Sequence, residues 1–211
     1  RVAYAYRLRR SARRRLAPNR SLRWYDKLCV SREPDSFRLR LLIWIYAHLS
    51  EISTMDRAAI ERYLAGADVP ATAIAGLNKT ELNAFPIPGT WSIQQIVMHL
   101  LDSDLIASDR MKRVIAEDRP TLIGYNETAF AKVLPYAELD PALACDIFAK
   151  NRRLTYEILR RQPDAAFERT GLHNETGEIT LAYLVNTYSK HLDDHMEHVR
   201  KKRQLLGKPL A

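Results

Sequence analysis

The last long stretch of the chain, residues 180–206, has the periodicity of one uninterrupted helix, and that helix carries a cluster of histidines. Leu181, Leu184, Val185, Tyr188 and Leu192 recur at the i, i+3, i+4 spacing of a buried stripe. His191, His195 and His198, three of the six histidines, lie within eight residues of one another and in one narrow sector of the helix. Side chains at i and i+4 are neighbours on a helix surface, so His191 and His195 can grip one ion. Such a pair needs at least one further ligand from elsewhere. His99, beside an apolar stripe some ninety residues earlier, is the obvious donor. A helix-borne pair joined by a distant helix-borne histidine points to a metal site inside a helix bundle. Spacing alone leaves open whether His191 and His195, His195 and His198, or all three converge.

The rest of residues 55–211 supplies the partners for that helix. Residues 56–67 place Ala59, Ile60, Tyr63 and Leu64 at amphipathic spacing, and Pro70 kinks or restarts this first helix towards Leu77. A connection punctuated by Pro86, Pro88 and Gly89 follows, and a second helix begins near Trp91, capped by Thr90 or Ser92. Its expected buried stripe is Ile93, Ile96, Val97, Leu100, Leu101 and Leu105, and Pro120 ends it. Residues 121–140 form a mixed loop with one short helix around 127–132. Pro141 opens a third helix whose apolar residues are Leu143, Ile147, Phe148, Leu154, Ile158 and Leu159. Residues 164–177 are polar and turn-rich, and Gly207 and Pro209 close the fourth helix. The pattern predicts an all-α domain: an antiparallel four-helix bundle with one long connection between helices two and three, and no strand.

A net charge of +8 would suggest nucleic-acid binding if it belonged to the whole chain. Residues 1–54 hold twelve Arg and one Lys against four acids, whereas residues 55–211 hold 20 basic and 21 acidic residues. The basic balance belongs to an N-terminal extension, expected to be a disordered arm, and no nucleic-acid partner is expected for the histidine-bearing domain. The extension contains no methionine, and the first is Met55. Residues 1–54 are therefore read first as a translated segment upstream of a true start at Met55. A disordered arm, a targeting or membrane-surface element and a nucleic-acid arm are the other readings. The apolar run 39–49, which includes His48, falls well short of the ~18–20 residues that span a bilayer, so no membrane partner is expected. Cys29 and Cys145 make neither a disulfide framework nor a CxxC motif. A reducing, cytoplasmic location is the expectation.

Four segments occur in family order: Pro88-Gly-Thr-Trp-Ser-Ile-Gln-Gln-Ile-Val-Met-His99-Leu-Leu-Asp-Ser-Asp104, Glu117-Asp-Arg-Pro-Thr121, Thr180-Leu-Ala-Tyr-Leu and His191-x-x-x-His195. Together they resemble the DinB-like superfamily, most closely its branch of metal-dependent hydrolases and bacillithiol S-transferases. The resemblance covers nearly all of residues 55–211 and is strongest from Pro88 to His198. It implies an antiparallel four-helix bundle, a three-histidine metal site on His99, His191 and His195 without His198, one divalent ion (zinc or nickel), and a homodimer. Lys190 stands where the family often has an aromatic or small residue, and the Arg-rich first 54 residues are not a normal part of it. Two other metal chemistries match less well. An HExxH peptidase would need a glutamate where Leu192 stands. A di-iron bundle needs Glu-x-x-His on two helices, and Asp102, Asp104 and Glu197 make no matched pair.

Three neutral imidazoles leave a divalent ion its full charge and favour an anionic fourth ligand. Hydroxide in that place makes a hydrolase, and the thiolate of a low-molecular-weight thiol makes an S-transferase. Either would act on a small electrophilic substrate without a protein nucleophile. Asp102, one turn from His99, and Asp194, beside the helix-borne pair, are the candidates to orient an imidazole N–H. Tyr125, Asn126 and His173 lie in loops that can reach the open end of the site. The alternative function is a non-catalytic metal-binding or stress-associated helical module.

Overall fold

The computed structural model describes residues 57–210; the basic extension with its apolar run, His48 and Cys29 lie outside them. Helix α1 (Arg57–Ala65) is followed by α2 (Val69–Ile74), which restarts with Pro70 in its first turn, where a missing N–H costs nothing. A four-residue helix α3 (Lys79–Leu82) lies in the connection, closed by a capping box between Asn78 and Glu81. Helix α4 (Ile93–Ala116) begins with a second capping box, in which Ser92 and Gln95 exchange side-chain and backbone bonds. The long connection carries α5 (Glu127–Val133), and α6 (Pro141–Leu159) and α7 (Leu181–Leu205) complete the helices. Helices α1, α4, α6 and α7 make a four-helix bundle.

Cross-helix contacts set the directions. Thr90 meets Lys202, His99 meets His191 and Arg110 meets Tyr188, so α4 and α7 run antiparallel. Arg57 reaches Gln162, Glu61 reaches Tyr156 and Tyr63 reaches Arg152, so α1 and α6 are antiparallel too. Val97 and Met98 pack with Ala144 and Cys145, while Asp104 meets Arg152, so α4 and α6 are parallel. The order is thus up, down, down, up. Two parallel neighbours in succession need a chain long enough to return to the starting end, which explains the extended connection. Gln94, 1% exposed at the start of α4, donates to the carbonyls of Tyr136 and Leu139 at 2.8 Å each and pins that return.

The expectation of no strand needs correction. β1 (Thr121–Leu122) pairs parallel with β2 (Thr170–His173), which forms an antiparallel hairpin with β3 (Gly177–Thr180). With two to four residues each, these strands are too short for alternation to register in a sequence. They pack against the far end of α4, and Gly171 lies so close to Leu122 and Val114 that a Cβ there would come within 2.8 Å of Leu122. Arg169, just before β2, donates to the Val114 and Glu117 carbonyls at 2.8 and 2.7 Å and satisfies the end of α4.

Parts of the expected core also turn outward. Leu105, Leu143, Ile147 and Leu154 are 41, 56, 38 and 61% exposed. The buried face of α6 is instead Ala144, Cys145, Phe148, Ala149, Arg152, Thr155 and Leu159. Small residues on that face bring α6 close to α4, and the charged Arg152 is buried because Asp104 receives it.

That pair forms a polar layer between two apolar clusters, one around Tyr63, Met111 and Leu181 and the other around Ile93, Phe148 and Leu192. Arg152 and Asp104 are each 1% exposed and bonded at 2.9 Å. Asn151 donates to the second Asp104 oxygen at 2.7 Å, and Tyr63 donates its hydroxyl to Asp104 at 3.2 Å. Arg152 also donates to the carbonyls of Tyr63 and Tyr188 at 3.2 and 2.9 Å. Gly66 allows this approach: a Cβ at residue 66 would stand 2.5 Å from both Arg152 Nη1 and Leu192 Cδ2. Gly66→Ala should therefore lose about 1–3 kcal/mol of stability by overpacking. Urea unfolding read by helix ellipticity checks this, and an unchanged midpoint would show that α1 can shift aside without cost.

Candidate metal centre

His99 occupies the second turn of α4, and His191 and His195 flank the middle of α7. The antiparallel packing brings the second turn of α4 against the middle of α7. Three side chains from two helices then converge on one point. His99 Nε2 lies 3.1 Å from His191 Nε2, and His195 Nε2 lies 3.1 Å from the same atom. All three donor atoms fall within 4.8 Å of one another. Zn–N bonds of ~2.0–2.1 Å in tetrahedral array would place the nitrogens about 3.3 Å apart, so the spacing suits an ion at the centre.

Proton bookkeeping favours the same fit. Neutral imidazole carries one N–H and one lone pair. His191 Nε2 faces two other ring nitrogens, and a single hydrogen on one of them satisfies only one contact properly. One cation facing three lone pairs satisfies all of them. The environment keeps the rings neutral. Burial, with His195 and His191 beside it, pushes His99 down to about 3. Burial pushes His191 down to about 4, helped by His195 and Arg152, and His195 likewise down to about 4, helped by His198.

With Nε2 turned to the ion, each Nδ1 carries the proton and needs an acceptor. For His99 that acceptor is the Tyr125 hydroxyl, 3.2 Å away. The Nδ1 of His195 is buried with no partner among the described residues. The Trp91 ring lies 4.8 Å from the His99 ring and stacks parallel on His195 at 6.2 Å, walling the site on that side. Glu127 brings a carboxylate oxygen to 3.8 Å from His99 Nε2, and that side chain is 53% exposed.

A cavity of about 260 Å³ adjoins the histidines, lined by His191, Tyr125, Glu127, Arg110, Tyr188 and Thr187 among others. Arg110, 8% exposed, donates to the Tyr188 hydroxyl oxygen at 2.7 Å and to the Ile123 carbonyl at 2.5 Å, and its Nε has no partner among the described residues. It pairs with no carboxylate among the described residues. The cavity thus offers a metal position, a cation and a phenol.

The other sequence candidates lie elsewhere. Asp102 accepts the hydroxyl proton of Tyr136, and Asp194 pairs with Lys190 on the surface at 2.6 Å, so neither orients an imidazole. Asn126 caps α5 by accepting from Ala129 N. His173 Nδ1 accepts from the backbone of Glu175 and Thr176 and tightens the β2–β3 turn. The His198 ring lies 6.3 Å from that of His195, outside the converging trio. Trp91, Arg110, Tyr188 and Glu127 were not singled out from sequence. For Arg110 a signal existed: a charge eleven residues after His99 sits on the same apolar face.

Comparison with known proteins agrees with this fold. YfiT from Bacillus subtilis, described as a probable metal-dependent hydrolase with an unusual four-helix bundle topology, superposes with a TM-score of 0.68 at 24% identity. The match covers 74% of this chain and 92% of YfiT. A protein from Bacillus mycoides is 27% identical over 160 residues, spanning 74% of this chain and 92% of its own. Another from Oceanobacillus iheyensis is 27% identical over 126 residues, spanning 60% of this chain and 73% of its own. Both are named as candidate metal-dependent hydrolases. The sequence profile of the DinB superfamily matches residues 62–199, well over half of the chain, and the chain belongs to that superfamily.

Proposed function

We propose that this protein is a metal-dependent enzyme that uses one divalent ion on His99, His191 and His195 to act on a small electrophilic substrate, by hydrolysis or by transfer to a low-molecular-weight thiol. The observation that carries the reading is the convergence of three neutral Nε2 atoms beside a cavity that also presents a guanidinium. The names of the relatives support it on the hydrolytic side. An ion bound there would acidify a nucleophile and steady charge developing on the electrophile.

The chain's own residues supply the rest. Tyr125 fixes the His99 ring by accepting its Nδ1 proton. Trp91 keeps water from one side. Glu127, with a carboxylate oxygen at the cavity mouth, is placed to take the proton of the incoming nucleophile. Arg110 donates to the Tyr188 oxygen, which leaves the phenol's own hydrogen free for an oxygen of the substrate. Zinc and nickel both suit an all-imidazole donor set.

Elemental analysis of purified protein tests the site. The wild type should hold about one divalent ion per chain, and His99→Ala and His191→Ala should each lose it while keeping helical ellipticity. A wild type that holds no ion and takes up neither zinc nor nickel would end the proposal. Assay of a loaded, folded protein against electrophiles with and without added thiol separates the two reactions. Metal retention without turnover in either assay would favour the non-catalytic module.

A further inference from the structure

A second cavity, of about 280 Å³, has an apolar wall of Ile87, Trp91 and Ile96 and a polar wall of Thr90, His195, His198 and Lys202. No acidic residue lines it among the described residues. Lys202 is 2% exposed, and its ammonium donates to Thr90 Oγ1 at 2.5 Å. Thr90 in turn donates its hydroxyl proton to the Ile87 carbonyl at 2.8 Å. An ammonium has three donors, and this one meets a single neutral oxygen among the described residues. No carboxylate pairs with Lys202 among the described residues.

Of the other buried cations, Arg110 has the Tyr188 hydroxyl and the Ile123 carbonyl but, like Lys202, no carboxylate among the described residues; the remaining two are provided for differently. Arg152 has Asp104, and Arg203 donates to the carbonyls of Lys208, Ala73 and Ala75. A buried ammonium with so little compensation is costly unless an anion completes it. The cavity also lies at the N-terminal end of the 24-residue helix α4, whose dipole favours negative charge there. Trp91 and Ile96 face the same space with apolar surface, which suits an aryl or alkyl body.

We propose that this cavity binds a small organic monoanion, its carboxylate against Lys202 Nζ and its apolar body against Trp91 and Ile96. Lys202 follows His195 by seven residues, which is roughly 10 Å along the helix. His195 also lines this cavity, so an anion held there lies beside the three-histidine point; Lys202, two turns further along α7, supplies its charge partner, and the proposal stands whether or not an ion occupies that point.

Benzoate and its neutral isostere benzamide are the probes, titrated into the full chain and followed by calorimetry, with 4-iodobenzoate soaked into crystals to locate the iodine. Benzoate should bind saturably, benzamide at least tenfold more weakly, and the iodine should appear beside Trp91. Lys202→Met, which keeps the stem and removes the charge, should weaken benzoate at least tenfold. Should that variant fail to fold, the benzoate–benzamide comparison and the iodine position in the wild type still decide. Stripping the metal with a chelator should leave benzoate affinity within twofold. Equal binding of the two probes, no binding, a folded Lys202→Met with unchanged affinity, or affinity lost on chelation would each overturn the proposal.

Discussion

Arg152→Met should destabilise the protein by about 3–5 kcal/mol, the range for removing one partner of a buried ion pair. Against a typical total of roughly 5–15 kcal/mol, that is a large share of the fold. The loss has several sources. Asp104, 1% exposed, would keep its carboxylate in the core with only Asn151 and Tyr63 to satisfy it. The Tyr63 and Tyr188 carbonyls would lose their donors as well. The guanidinium also lies 4.4 and 4.5 Å from the Tyr63 and Phe148 ring centroids, contacts that methionine replaces only in part. The double variant Arg152→Met with Asp104→Asn removes both charges while keeping an amide for Asn151 and Tyr63, and should recover about half of the loss. Urea denaturation of the two single variants and the double variant, read as a cycle, measures the coupling. A single variant within 1 kcal/mol of wild type would mean that water or a shifted side chain already compensates Asp104.

That pair also shows where sequence reading reached its limit. The four long helices were legible because apolar stripes and proline or glycine boundaries agree, and the pair His191 and His195 was legible because i and i+4 share a face. The buried face of α6 was not, since hydrophobicity alone selects Leu143, Ile147 and Leu154. Packing selects Ala144, Phe148, Arg152 and Thr155, whose partners lie on other helices. Arg152 could be placed only after Asp104 was known to face it. The same holds around the histidines. Asp102 looked suited to orient His99, yet the return of the chain through residues 134–138 brings Tyr136 to it. The orienting group is Tyr125, carried there by a connection whose path depends on Gln94 holding the Tyr136 and Leu139 carbonyls. Contacts set by the course of a long loop leave no local periodicity to read.

Divalent metal affinity should stay nearly flat from pH 7 down to about 5 and fall steeply only below about 4. Ordinary histidines, with pKa about 6.5, would each carry about 0.9 proton at pH 5.5, and binding would expel about 2.7 protons in all. Here burial has already moved His99 to about 3 and His191 and His195 to about 4, so these rings are deprotonated before the ion arrives. The advantage over three unshifted histidines reaches roughly four orders of magnitude in affinity at pH 5. The same shifts carry a cost for the metal-free protein. Between pH 6.5 and about 3 the unfolded chain binds protons that the folded chain does not, so stability falls as pH falls through that window and levels off below it. An ion bound only by the folded state opposes that loss. Calorimetric titration of zinc at pH 5.5 in two buffers of different ionisation enthalpy counts the protons released. Fewer than about 0.5 per ion is the expected result. Release of two or three would mean that the histidines titrate normally, and that the burial around Trp91 and Tyr125 does not keep them ready for the ion.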